Sequence, residues 1–421
     1  MLHAALWLSV LACPQVEEVV APANLSWLAR HQAEDGSWGR YVENCTCPGL
    51  GAPPKADIKR DPAVEAKLKP LLEKLASDEP SEREAALEAI VAFGEPAEPF
   101  LADVFSTDVE VKGRVADALR RLARARTAPE VSTTSLALLA FLGAGYSHLS
   151  KDTVKGICFG DVVRRAIKYL MKQQDAAGRI GSDRDAGGRL VHLHAALALS
   201  EAYGLTGSNL FKGPAQLAVD AAVAMQVKGS GWSPGGDAPV DTITTAWGAT
   251  LLKSAELSGL TFPSTAYDGV RAWFASVFDD SGRAGLFKKG DWDAAKRKHD
   301  TATAAALLSL IFIDKNKSDP RLAKAAAILT ADVPAEKDFD AEYTHFGSLA
   351  LFQFDGPSGS GWKAWNDRMK QTVLGLQEIR KADCNRGSWP AAAGGSRTLS
   401  TALNALTLEV YYRYANVFGT K

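Results

Sequence analysis

Four side chains stand where residue type and neighbours permit chemistry: Asp241, His299, Asp300 and His345. A carboxyl group can give or take a proton, an imidazole can do either near neutrality, and both ligate metal ions. Asp241 follows Pro239 and Val240 and precedes Thr242, Ile243, Thr244, Thr245, Ala246 and Trp247. His299 and Asp300 precede Thr301, Ala302 and a run that reaches Leu307, Leu308, Ser309 and Leu310, while His345 lies within Tyr343, Thr344, Phe346 and Gly347. A short acidic side chain just ahead of an apolar run is also how a helix start is written. Its oxygen accepts from unpaired first-turn N–H groups, which alone is worth about 1 kcal/mol. Asp241 and Asp300 are therefore expected at helix N-termini whatever else they do. His192 and His194 are two residues apart on a predicted helix, so their rings diverge and are poorly placed to chelate one ion.

Helices must position these groups. Trp27, Leu28 and His31 fall on helical spacing before Gln32, Gly36 and Trp38. Gln at a helix end bonds exposed backbone groups, Gly allows the turn, and Trp folds back over the helix below. The form returns with Val163, Ile167, Leu170 and Met171 ahead of Gln174, Gly178 and Ile180, followed by a predicted helix over 190–203. It returns again with Leu217, Ala221, Ala224 and Met225 ahead of Gln226, Gly231 and Trp232, and the helix from Asp241 follows. Segments 270–278 and 300–313, 322–329 and 343–354, and 362–379 and 398–414 make three further pairs, the last with Gly387 and Trp389 between its members. Ser132, Thr133 and Thr134 ahead of Leu136 to Leu139 predict a helix start whose partner is the Trp27 segment. The sum is six helix pairs, an all-α array able to close on itself.

The text changes between Gly49 and Ala128. Leu68, Leu71, Leu72 and Leu75 precede an acidic turn from Asp78 to Arg83, then Ala86, Leu87 and Ile90, then Phe100 and Leu101, and a second such turn from Asp108 to Lys112 leads into Val115, Ala116 and Leu119. Segment 60–128 resembles HEAT repeats, about two of them, fewer than the three that usually fold alone, so it is expected to lean on its host. It reads as an insertion splitting the first helix pair, with a linker over 48–59, and the resemblance implies a surface for a protein partner.

The bulk numbers exclude some classes. With 421 residues, 46% hydrophobic and 23% charged, the chain can bury a large core, and a net charge of −1 without a long basic run gives no phosphate-neutralising surface for nucleic acid. Segment 1–13 holds an apolar stretch from Leu2 to Ala12, too short to span a bilayer. Its length fits the apolar part of a secretory signal, and Leu11, Ala12 and Cys13 resemble a lipoprotein cleavage box, although no Lys or Arg precedes them; a packing segment is the other reading. Export, periplasmic or lipid-anchored, and a cytoplasmic location both stay open, and no transmembrane candidate follows. If Cys13 is set aside, Cys45, Cys47, Cys158 and Cys384 are enough for two disulfides in an exported chain, whereas the tight Cys45–Cys47 spacing is a weak zinc signal.

The Gln/Gly/Trp staples and alternating helices resemble the squalene cyclase and protein prenyltransferase superfamily, an (α/α)6 toroid, over residues 22–48 and 129–421. The resemblance implies an outer helix ring, inner helices around a central cavity, and chemistry at the inner-helix starts. Terpene cyclases of the second class protonate an alkene or epoxide with Asp-x-Asp-Asp before Thr-Ala. The nearest text, Arg297 to Ala302, keeps Asp300, Thr301 and Ala302 and places His299 where an acid belongs, and an imidazolium of pKa about 6.5 protonates an alkene poorly. Asp183 and Asp185 keep two carboxylates in a Gly-flanked loop. Prenyltransferases bind zinc through Asp, Cys and His. Asp241 matches the aspartate, Ile243 occupies the cysteine position, and His345 lies close to the histidine position. The sequence therefore reads as a non-catalytic toroid that binds a ligand or a protein partner without a cofactor. An apolar or isoprenoid-like ligand would occupy a central cavity lined by Trp247, Phe346, Phe352, Tyr411 and Tyr412. The alternative is a prenyltransferase or terpene cyclase with a site rebuilt from Asp241, His299 and Asp300, and zinc on Asp241 and His345. A third reading, a toroid acting on polysaccharide, requires paired carboxylates across a cavity.

Overall fold

The computed structural model describes residues 21–39, 60–93, 95–101, 104, 108–181, 187–292, 299–379, 384–391 and 396–412. The expected leader at 1–13, the linker at 48–59, Cys13, Cys45, Cys47, Asp183 and Asp185 lie outside the described residues. The chain divides into two compact units, one formed by Met1–Ala52 with Val131–Lys421 and the other by Pro53–Glu130.

The first described helix, α1 (Ala21–Arg30), belongs to the larger unit. The smaller unit holds α2 (Pro62–Lys74), α3 (Pro80–Ala92) and α4 (Glu98–Leu101). Asp61 caps α2 by accepting from the Ala63 N–H at 2.8 Å, and Pro62 begins the helix where an N–H is not needed. Leu68, Leu75, Leu87, Ile90, Phe100 and Leu101 share its core with Val111 and Val115. Those last two stand on α5 (Val109–Gly143), which carries the chain on into the larger unit. The helix start expected at Ser132 to Thr134 is not one, because α5 runs through it. The hydroxyls that would have capped are committed elsewhere: Ser132 Oγ meets His194 Nδ1 at 2.7 Å, and Thr134 Oγ1 accepts from the Trp38 N–H at 2.8 Å.

A short hairpin, β1 (Thr153–Val154) and β2 (Ile157–Cys158), turns at Lys155 and Gly156, both at positive φ as a two-residue hairpin loop requires. Then follow α6 (Phe159–Gln173), α7 (Gly188–Thr206), α8 (Asn209–Ala224), α9 (Thr242–Leu257), α10 (Thr265–Val277) and α11 (Thr301–Asp314). The chain ends with α12 (Pro320–Ala331), α13 (Ala341–Asp355), α14 (Ser360–Leu376) and α15 (Arg397–Leu408).

Sequence composition sorts these helices into two layers. On α6 the apolar residues Phe159, Val162, Val163, Ala166, Ile167 and Leu170 make one buried face, the mark of an outer helix. On α11 every residue from Thr301 to Ile313 is buried, which only a helix without a charged face tolerates. The inner helices α7, α9, α11, α13 and α15 pack in succession, and α8, α10 and α12 each lie against the inner helix before and after it. The last inner helix, α15, packs against the first outer helix, α1. The described larger unit is thus an all-α (α/α)6 toroid of six helix pairs, its sixth inner position filled by α5 from Val131 onward.

The Gln/Gly/Trp segments join neighbouring outer helices. Gln32 Nε2 donates to Gly36 O at 3.0 Å in its own turn and to Val162 O of α6 at 2.9 Å. Gln174 does the same with Gly178 O at 3.1 Å and Pro214 O of α8 at 3.0 Å, and Gln226 with Ser230 O at 2.8 Å and Ala266 O of α10 at 2.9 Å. Trp38, Trp232 and Trp389 each donate the indole N–H back to a carbonyl of the preceding outer helix at 2.7 Å, while their backbone N–H groups reach Thr134, Thr245 and Thr401 on the paired inner helix. The glycine is required by proximity. At Gly36, with φ of 93°, a Cβ would lie 2.3 Å from Arg165 O, and at Gly387 it would lie 2.4 Å from Ala23 O of α1. That last contact closes the ring.

Candidate functional site

The start of α11 brings several chemically able side chains to one cleft. Asp300 caps the helix, its Oδ1 accepting from the Thr303 N–H at 3.1 Å. Only 4% of the residue is exposed, Oδ2 accepts no hydrogen bond, and the nearest cation, Arg283 Nε, stands 3.6 Å away. Burial pushes this carboxyl above the usual range, against the opposing pull of Thr303 and Arg283. Arg283 comes from the turn after α10, where its backbone N–H is held by Asp279 Oδ1 at 3.0 Å, and its guanidinium lies over the Trp292 ring at 4.3 Å. These groups line an open cleft of about 700 Å³, with Ala327, Ile328 and Ala331 of α12 as its apolar wall and Asp332 at its end.

His299 sits behind that end. Its Nδ1 is 2.9 Å from Asp332 Oδ2, its Nε2 is 2.8 Å from Asp338 O, and its ring stacks on Tyr343 at 4.7 Å. Tyr343 in turn donates its hydroxyl to Asp332 O at 2.6 Å. With both ring nitrogens engaged, His299 holds Asp332 in place and has no nitrogen open to a substrate. Asp300 thus lines the cleft, while His299 is not among the lining residues and meets the cleft through Asp332.

Asp241 and His345 do not line this cleft. Asp241 caps α9 with both oxygens used, Oδ1 by the Thr244 N–H and Oδ2 by the Thr244 hydroxyl, each at 2.7 Å. Burial raises its carboxyl, with Glu342 adding to the rise. Among the described residues no three His, Cys, Asp or Glu side chains form a group able to hold a metal ion. Cys158 and Cys384, expected among the disulfide candidates, are free thiols.

Among the described residues, side chains of several inner helices meet one another inside the ring. Ser132 on α5 meets His194 on α7, whose ring stands edge-on to Trp247 of α9 at 4.5 Å, and Trp247 lies parallel to His345 of α13 at 5.8 Å and packs on Phe346 at 5.2 Å. Burial lowers the His194 pKa to about 3, so this ring is neutral. Trp247 and Phe346, expected to line a cavity for an apolar ligand, are buried against these neighbouring rings. Phe352 and Tyr411 pack with Trp362 of the outer helix α14. No described helix is long and apolar enough to cross a membrane.

Sequence reading missed Arg283, Trp292 and Asp332. Arg283 follows Gly282 in a staple that has lost its Gln and Trp, replaced by Phe278 and Ala284, and that decay was the available signal. Asp332 is the residue after α12, and only the fold brings it to His299.

No family model matches this chain, and no curated protein matches it. Among solved structures, the chain is similar to the GH76 α-mannanase of Bacteroides thetaiotaomicron at 12% identity and a TM-score of 0.45, over 68% of this chain and 86% of that one. It is also similar to the Lin0763 protein from Listeria innocua at 15% identity and a TM-score of 0.44, over 66% of this chain and 84% of that one. At such distances the likeness carries nothing about chemistry.

Proposed function

We propose that this toroid is a binding protein whose site is the cleft at the start of α11 and whose ligand is polyhydroxylated, a sugar ring or short glycan. The observation that carries this reading is Asp300 Oδ2, a buried acceptor on the cleft wall that accepts no hydrogen bond. Leaving such an atom without a hydrogen bond, with only the Arg283 guanidinium at 3.6 Å, costs up to about 1–3 kcal/mol, part of which a ligand hydroxyl that displaced its cover would recover. Arg283 supplies forked donors to ring oxygens, and the face of Trp292 that Arg283 does not cover would be the aromatic surface for the C–H face of a pyranose. The ring nitrogens of His299 are already engaged, by Asp332 and the Asp338 carbonyl, which weighs against a cyclase or prenyltransferase site built on them.

The test is calorimetric titration with a panel of neutral hexose and pentose oligosaccharides, using the wild type, Asp300→Ala and Trp292→Ala. At least one glycan is expected to bind, and each variant to weaken it tenfold or more. Binding of squalene or a polyprenyl diphosphate, with no glycan bound, would contradict the reading.

One observation favours a second reading. Asp300 is a carboxyl held toward its protonated form by burial, and Asp332 is a half-exposed carboxylate held by His299 in the same cleft. Glycoside hydrolysis uses two carboxyls flanking the bond, one to protonate the leaving oxygen and the other to activate water. New reducing ends from the bound glycan, lost in Asp300→Asn while binding persists, would establish it.

A further inference from the structure

At the seam where the ring closes, His31 of the turn after α1 faces Cys384 of the segment after α14, Nε2 to Sγ at 3.0 Å. The other ring nitrogen settles the direction of that contact. Nδ1 lies 2.7 Å from Trp27 O, which can only accept, so Nδ1 carries the ring hydrogen and Nε2 presents a lone pair. The thiol is then the donor. Trp27 fixes both partners, stacking on the His31 ring at 4.2 Å and donating its indole N–H to Cys384 O at 2.9 Å. Cys384 is a free thiol on a residue of intermediate exposure.

A thiol, a base within hydrogen-bond reach and a third group orienting the base are the parts of an activated nucleophile. With the thiol neutral, burial lowers His31 to about 4, the Trp27 carbonyl opposes that shift, and the charges of Arg30 and Arg397 reinforce it. The ring is therefore unprotonated at neutral pH, so it is the hydrogen-bond geometry, Nε2 facing Sγ at 3.0 Å, that makes it the available acceptor for the thiol proton.

We propose that Cys384 is a nucleophilic thiol, with His31 as its base, that exchanges with low-molecular-weight disulfides. The Cys384 proton passes to His31 Nε2, and the sulfur electron pair forms a new S–S bond with one sulfur of the disulfide. The original S–S bond breaks with its electrons on the other sulfur, which takes the proton from His31 and departs as a thiol. The products are a mixed disulfide at Cys384 and one free thiol, with no net redox change. This exchange needs only a reachable, activated sulfur, so the dyad is sufficient for it.

The test measures modification of the full chain by oxidised glutathione at pH 7, read site by site by peptide mass spectrometry, with N-acetylcysteine as the reference thiol. Cys384 is expected to react at least tenfold faster than N-acetylcysteine. In a His31→Gln variant whose melting transition is retained, its rate should fall at least tenfold while that of Cys158 is unchanged. A wild-type Cys384 no faster than the reference thiol overturns the proposal even if the variant fails to fold, and so does an unchanged Cys384 rate in a folded variant.

Discussion

The indole of Trp247 on α9 and the imidazole of His345 on α13 lie 13° from parallel with ring centroids 5.8 Å apart, although α11 stands between their helices in the ring. The beginning of α11 explains the reach, because Thr301, Ala302, Thr303, Ala304, Ala305 and Ala306 are all small and leave the centre to the indole. The toroid is therefore joined at its middle by aromatic packing, and its polar cleft lies to one side, beside Asp300.

Removing that joint should be costly. Trp247→Ala deletes a side chain that is 3% exposed and touches three other rings, so a loss of about 3–5 kcal/mol is expected in chemical denaturation. A loss below about 1 kcal/mol would mean that the centre is not packed as described.

The staples should show the same cost wherever they recur. Gln226→Ala removes the side-chain donor that Ser230 O and Ala266 O share and should cost about 1–3 kcal/mol, with Gln174→Ala close to it. Glycines separate by location. Gly36→Ala forces a Cβ against Arg165 O and should destabilise strongly, whereas Gly213→Ala on α8 meets nothing within 4 Å and should stabilise by about 0.5–1 kcal/mol. Melting temperatures of the variants check the order.

Acid should weaken the fold through its buried histidines. His192 Nδ1 accepts from the Ile180 N–H, Nε2 donates to Ala218 O, and burial lowers the pKa to about 4 despite those bonds. Unfolded, this ring titrates near 6.5, so between the two values the unfolded chain binds a proton that the folded chain refuses. Stability is then full above about 6.5 and falls as pH drops toward 4, by about 2 kcal/mol at pH 5 from this residue alone. Thr fills the equivalent place in other units, as Thr245 and Thr401 show. His192→Thr should therefore narrow the difference in denaturation midpoint between pH 7.5 and pH 5, and an unchanged difference would contradict the assignment.

Asp300 should separate stability from binding. Asn caps a helix as well as Asp, and a neutral side chain avoids the burial that raises the Asp300 carboxyl. Asp300→Asn is expected to leave the melting temperature equal or higher at neutral pH while changing the response to glycan.

Much of the fold was legible because its repeat is written in local chemistry. Gln32, Gly36 and Trp38 each do a job that only their own side chain, or its absence, can do, so the pattern survives in the text. The caps at Asp241 and Asp300 were legible for the same reason. Ser132 and Thr134 misled because a hydroxyl that caps a helix and one that bridges to a neighbouring helix look alike in sequence. The cleft was half hidden: Asp300 was visible as a cap, but Arg283, Trp292 and Asp332 meet it only through the packing of α10, α11 and α12. The occupied centre was hidden entirely, since an aromatic residue that fills a cavity and one that lines it share the same helical spacing.

The most direct measurement is a crystal structure of the protein grown with the tightest-binding glycan from the titration. The expected result is a sugar ring in the cleft, a hydroxyl within hydrogen-bond distance of Asp300 Oδ2 and a C–H face against Trp292, with Trp247 still parallel to His345. Ligand density in the middle of the ring, with Trp247 displaced from His345 and the cleft beside Asp300 empty, would contradict it.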